Sequence, residues 1–70
     1  MSGGPCDGLT ERQVQVLQLL ADGATLESAG AALFISRDTV KTHLAKALAV
    51  LGARSRTQAV AIALRAESIR

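Results

Sequence analysis

Within SRDTVKTHLAKALAVLG, from Ser36 to Gly52, Thr42, Ala45, Lys46 and Ala49 recur at the spacing that places side chains on one side of a helix, with Lys41 flanking them. Ammonium and hydroxyl groups on such a face can donate to phosphate oxygens and contact base edges, and the alanines let the backbone approach closely. The stripe carries no large apolar group and no carboxylate beyond Asp38 at its start, so it can enter a groove about 12 Å wide beside phosphates. A solvated surface helix carries the same residue types, and the face alone does not decide between the two readings.

The elements that must hold this stripe are legible in the same residues. Val40, Leu44, Ala47, Leu48 and Leu51 form the opposite, apolar side. Ser36 can accept from an orphan amide of the first turn, Asp38 places negative charge at the positive end of the helix, and Gly52 supplies a left-handed stop. A helix from about Arg37 to Leu51 follows. Upstream, Thr25 can cap a short helix from Leu26 to Leu33, with Phe34 and Ile35 as an apolar turn into Ser36. A further helix starts at Thr10, where TERQ lets the Gln13 side chain reach back to the Thr10 amide; it carries Val14, Val16, Leu17, Leu20 and Ala21 and ends at Gly23. The last helix starts at Ser55, with Gln58 at the capping-box position, and runs through Leu64 toward Glu67. The expected fold is all-α: one compact four-helix domain over residues 9–70 containing a helix-turn-helix. Residues 1–8, MSGGPCDG, lack any apolar period and are expected to be a disordered leader or linker remnant. The core must be aliphatic, because Phe34 is the sole aromatic residue in 70.

Charge is unevenly placed. Residues 1–35 carry Arg12 against Asp7, Glu11, Asp22 and Glu27, a net −3, whereas residues 36–65 carry Arg37, Lys41, Lys46, Arg54, Arg56 and Arg65 against Asp38, a net +5. One end of the molecule is therefore positive, as a polyanion partner requires. Arg54 and Arg56 follow the basic helix where a phosphate strand could pass; capping the carbonyls that end that helix is the other use open to them.

Catalysis finds no support, so the chain is read as not an enzyme. Cys6 lies in the leader, His43 lies on the basic helix, and no His, Cys, Asp or Glu grouping has metal-ligand or base–orienter spacing, so neither a metal nor a cofactor is expected. A single cysteine allows no internal disulfide and fits a reducing, cytoplasmic setting. No apolar run reaches 18 residues and no signal sequence opens the chain, so no membrane partner is expected.

The ordered set LTERQVQVLQLLADG, LFIS, TVKTH, LG and SRTQAV resembles the LuxR-type (FixJ- or NarL-type) helix-turn-helix domain of bacterial transcription regulators, over about Leu9 to Ile69. The resemblance implies sequence-specific binding of double-stranded DNA, with the third helix in the major groove and the fourth pairing two copies. It implies that Lys41 and Thr42 reach base edges or phosphates, that Thr39 sits within the same motif, and that His43 lies near the backbone or braces the helix. The family's next frequent contact position is Ala45 here, and Lys46 stands nearby as a substitute. Gln13, Leu26, Ser28, Gly30 and Val50 also depart from the family's usual Glu, Asn, Glu, Ala and Lys. Gly30 inside a short helix costs about 1 kcal/mol relative to Ala, so the second helix is expected to be loose before DNA binds.

In the last helix, AVAIAL from Ala59 to Leu64 is apolar around nearly two turns, more than a monomer's surface helix requires. Val60 and Leu64 share one face and Ala59 and Ala63 another, so one side can pack on the core while the other meets a second copy; surface-tolerant alanines in an ordinary amphipathic helix are the alternative. Val60, Ala61 and Leu64 are the candidate pairing residues. A weak homodimer forming mainly on DNA is expected, with contact to RNA polymerase through unassigned surfaces. A helical interaction module that keeps the fold without DNA binding is the rival class. A polymerase sigma-type helix-turn-helix fits TVKTH and SRTQAV less well.

Overall fold

A computed structural model describes residues 8–70, and the proposed leader lies outside the described residues apart from Gly8. Four helices follow in order: α1 (Glu11–Ala21), α2 (Leu26–Leu33), α3 (Arg37–Leu51) and α4 (Arg56–Arg65). The described residues contain no strand.

Each helix begins with a hydroxyl side chain accepting from the amide three residues on: Thr10 from Gln13, Thr25 from Ser28, Ser36 from Thr39 and Ser55 from Gln58. At α1 the box closes reciprocally, because Gln13 Oε1 accepts from the Thr10 amide at 3.0 Å. Gln13 is itself buried, and an uncharged amide makes that bond without burying a carboxylate. At α2 the Ser28 hydroxyl accepts from the Thr25 amide at 2.8 Å, so this short side chain closes a box where the usual partner is Glu or Gln. The box expected at α4 is not formed. Gln58 Oε1 accepts instead from the amide of Arg54, one residue ahead of the cap, at 2.7 Å. Extended backbone at Ser55, with φ −149°, brings the preceding amide within the glutamine's reach.

The stops are equally local. Gly52 takes φ 66° and returns its amide toward Leu48 and Ala49, as a left-handed terminus requires. Asp22 closes α1 and Gly23 follows at φ 98°. Phe34 closes α2 at φ 60°, a conformation unusual for a bulky residue. The apolar turn is therefore split: Ile35 packs inward beside Val16, Ala29 and Val40, while Phe34 is thrown out and is 95% exposed.

The core has two lobes sharing α1 and α3. Leu17, Ala47, Ala59, Ala63 and Ile69 form one, joining α1, α3 and α4; Val16, Ala29 and Val40 form the other, joining α1, α2 and α3. Leu44 touches both. Three fully buried alanines in the first lobe let α3 and α4 approach closely, and Leu17 and Val16 supply the bulk from α1. At the C-terminus, Gln18 holds Arg70 with both ends of its amide, donating to the carbonyl at 2.6 Å and accepting from the amide at 2.8 Å, which seats Ile69 in the core.

Gly30 is buried because the turn into α3 crosses directly over it. A Cβ there would fall 2.6 Å from the Ile35 carbonyl oxygen, and that same turn closes by the Ile35 amide donating to the Gly30 carbonyl at 2.9 Å. The residue that lowers helix propensity is the one that permits the tight reversal, so its packing offsets its intrinsic cost.

Candidate nucleic-acid interface

The inner side of α3 is set by Val40 and Ala47, both fully buried, with Leu44, Leu48 and Leu51 packed partly around them. That anchoring points Thr42, Ala45, Lys46 and Ala49 into solvent together, with Lys41 also exposed at the edge. The outward stripe read from the sequence is thus a single accessible surface. Arg37 is exposed in the first turn, off the stripe, and His43 lies half-buried at the stripe's flank.

The hydroxyls on this helix have separate roles. Thr39 Oγ1 lies 2.9 Å from Ser36 Oγ, so its hydroxyl belongs to the cap at the helix start. Thr42 Oγ1 donates to the Asp38 carbonyl at 3.1 Å. With its proton committed to that carbonyl, the exposed Thr42 hydroxyl is left as an acceptor, suited to an amino donor, and its methyl group suits a thymine methyl.

Arg37 and Arg56 come together at a shallow hollow of about 360 Å³, whose other walls are Ala24, Thr25, Leu26 and Glu27 at the start of α2. Two arginines thus line a hollow beside the positive end of a capped helix, an arrangement favourable to a phosphate oxygen. Glu27 is the only carboxylate lining it. That the start of α2 neighbours both arginines has no signature in the sequence, because residues from three separate helices line the hollow. Arg54 is exposed and its amide is taken by Gln58 rather than by the end of α3. None of Arg37, Lys41, Lys46, Arg54 or Arg56 forms an ion pair among the described residues.

On α4 the two faces expected from the spacing are only partly separated, because Val60 packs on the core while Leu64 does not. Ala59 and Ala63 are fully buried in the core. Val60 is half-buried against the Leu17 lobe, Ala61 and Ile62 are half-buried, and Leu64 is 44% exposed. No group of three or more His, Cys, Asp or Glu could hold a metal ion among the described residues, and no helix there is long and apolar enough to cross a membrane.

Residues 7–63 match the family described as bacterial regulatory proteins, luxR family. The chain belongs to the LuxR family. Its LuxR-type helix-turn-helix is a DNA-binding domain of transcription regulators. It is 43% identical over 61 residues to the transcriptional regulatory protein LiaR of Bacillus subtilis, a match covering 87% of this chain and 29% of LiaR. It is 45% identical over 56 residues to the transcriptional regulatory protein DegU of Brevibacillus brevis, covering 80% of this chain and 24% of DegU. The chain therefore spans less than a third of the length of either regulator. A solved structure of the transcription factor GerE superposes with a TM-score of 0.85 at 31% identity, covering 89% of this chain and 92% of GerE.

Proposed function

We propose that this LuxR-family domain is the output module of a bacterial transcription regulator, working in the cytoplasm and reading specific DNA with α3 in the major groove. The observation that carries this reading is the outward side of α3. Lys41 and Lys46 frame a run of small residues with no bulky side chain to hold the backbone away from base edges. Arg37 and Arg56, beside the start of α2, would grip the phosphate strand along one edge, with Arg54 exposed near them. Two copies would pair through Val60, Ala61 and Leu64 of α4, placing the recognition helices about 34 Å apart, one DNA turn. An interface limited to one short helix would bury less than about 1,200 Å², so pairing would be weak in solution and favoured on DNA. Contact with RNA polymerase would use a surface away from both.

The test separates residues that specify from residues that position. Thr42→Ala should alter which sequences are preferred, whereas Lys46→Ala should weaken all sequences alike and reduce the salt slope by about 1. Lys41→Ala should cost about 1–3 kcal/mol on a cognate site. Gel-shift titrations across several duplexes measure all three, and binding unchanged by every substitution would place the docking face elsewhere.

A further inference from the structure

Asp38 lies on the outward stripe of α3, between Ala45 and Ala49 when residues are stepped 100° apart, and its side chain is exposed. Its carboxylate has no partner among the described residues. The Thr42 hydroxyl takes the Asp38 backbone carbonyl, and the neighbouring Ser36 and Thr39 hydroxyls bond each other. It is also the sole carboxylate from residue 36 to residue 65, a segment otherwise carrying six cations. An acid in the first turn of a helix favours the helix dipole wherever it points. That role does not require a position on the side that faces the groove, where phosphates on both edges repel it.

We propose that Asp38 is a specificity-determining residue whose carboxylate accepts a hydrogen bond from the exocyclic amino group of a cytosine in the major groove. This inference rests on α3 being the recognition helix. The major groove offers two amino donors, on cytosine and on adenine, and adenine sets an acceptor nitrogen beside its amino group that would repel a carboxylate. Cytosine has no such neighbour on its own ring. Guanine and thymine present acceptor oxygens, so at those bases the carboxylate is left unpaired in a negative field. Asp38 thus works by exclusion as much as by attraction: it weakens binding to every duplex in which the amino group is missing.

Selection of the full chain from a random-duplex pool, run in parallel with Asp38→Ala and Asp38→Asn and with helix content checked by circular dichroism, tests this. The unaltered chain should favour cytosine at one position of each half-site by about 5- to 150-fold. Asp38→Ala should keep the rest of the selected motif, lose the preference at that position, and bind unselected DNA more tightly. Asp38→Asn, which keeps the side-chain shape, should shift the position toward adenine, whose amino and ring nitrogen suit an amide. If Asp38→Ala loses helix content, Asp38→Asn decides by the same position. A motif identical in all three proteins would overturn the role of Asp38 while leaving α3 as the reading helix. No enriched motif with the unaltered chain would overturn both.

Discussion

Helices α3 and α4 are built alike and finished differently. Each starts on a serine whose hydroxyl accepts the amide three residues on, and each buries alanines, Ala47 in one and Ala59 and Ala63 in the other, against the same lobe of core. Outward they diverge. α3 shows Lys41, Thr42, Ala45, Lys46 and Ala49, whereas the remaining faces of α4 carry Val60, Ala61, Ile62 and Leu64 between arginines at its ends. A surface proposed to approach a polyanion keeps its side chains small or cationic, whereas one proposed to meet a second copy leaves apolar groups partly uncovered. One scaffold therefore presents two chemically different outer surfaces, and the buried alanines are what the two helices share.

The largest effect should come from breaking what both helices lean on. Leu17 is fully buried among Ala47, Ala59, Ala63 and Ile69, and Leu17→Ala should lower unfolding free energy by about 2–5 kcal/mol in urea titrations. A domain of this size has little stability to spare, so DNA binding and pairing should fail together. Loss of only one would mean that α3 and α4 are held independently.

Gly30→Ala comes next. Helix propensity favours alanine by about 1 kcal/mol, but the added Cβ would fall 2.6 Å from the Ile35 carbonyl oxygen, and forced overpacking costs about 1–3 kcal/mol. The variant should melt lower, by about 4–8 °C for each net kcal/mol lost, and the change should reach α3 through the turn rather than α4. A higher melting temperature would show that the reversal relaxes easily and that the glycine does weaken α2.

The smallest change in stability should accompany the sharpest separation of the two surfaces. Leu64 is 44% exposed, so Leu64→Glu should shift stability by no more than about 0.5 kcal/mol while removing cooperative binding to a two-half-site duplex and sparing single half-sites. Sedimentation and gel-shift titration of the folded variant measure this. Unchanged cooperativity would remove α4 as the pairing helix.

What the sequence revealed was what is decided within a few residues. The starts at Thr10, Thr25, Ser36 and Ser55, the stop at Gly52 and the two sides of α3 all follow from side chains three or four positions apart. Where a second local solution existed, the reading was incomplete: Ser28 closes a box normally closed by a longer side chain, and Gln58 reaches Arg54 instead of Ser55. Phe34 was legible as part of a turn but not as its left-handed residue, because side-chain bulk argues against that conformation and the reversal over Gly30 demands it. Contacts remote in sequence gave no signal at all. Gln18 clasps Arg70 across 52 positions, and the hollow uniting Arg37, Arg56 and the start of α2 exists only once three helices are assembled. Within the candidate site, the exposed stripe was therefore readable and the hollow that Arg37 and Arg56 share with α2 was not.

If α3 reads DNA in a paired molecule, salt-titrated selection of the chain against random duplexes will show it in two ways at once. With about three to five cations near phosphates in each copy, the logarithm of affinity should fall against the logarithm of salt with a slope of about −3 to −5 per subunit, and the enriched sequences should form an inverted repeat with half-sites one turn apart. Binding that ignores salt, or a pool that enriches no sequence, would rule out DNA reading by α3 and leave a helical interaction module in its place.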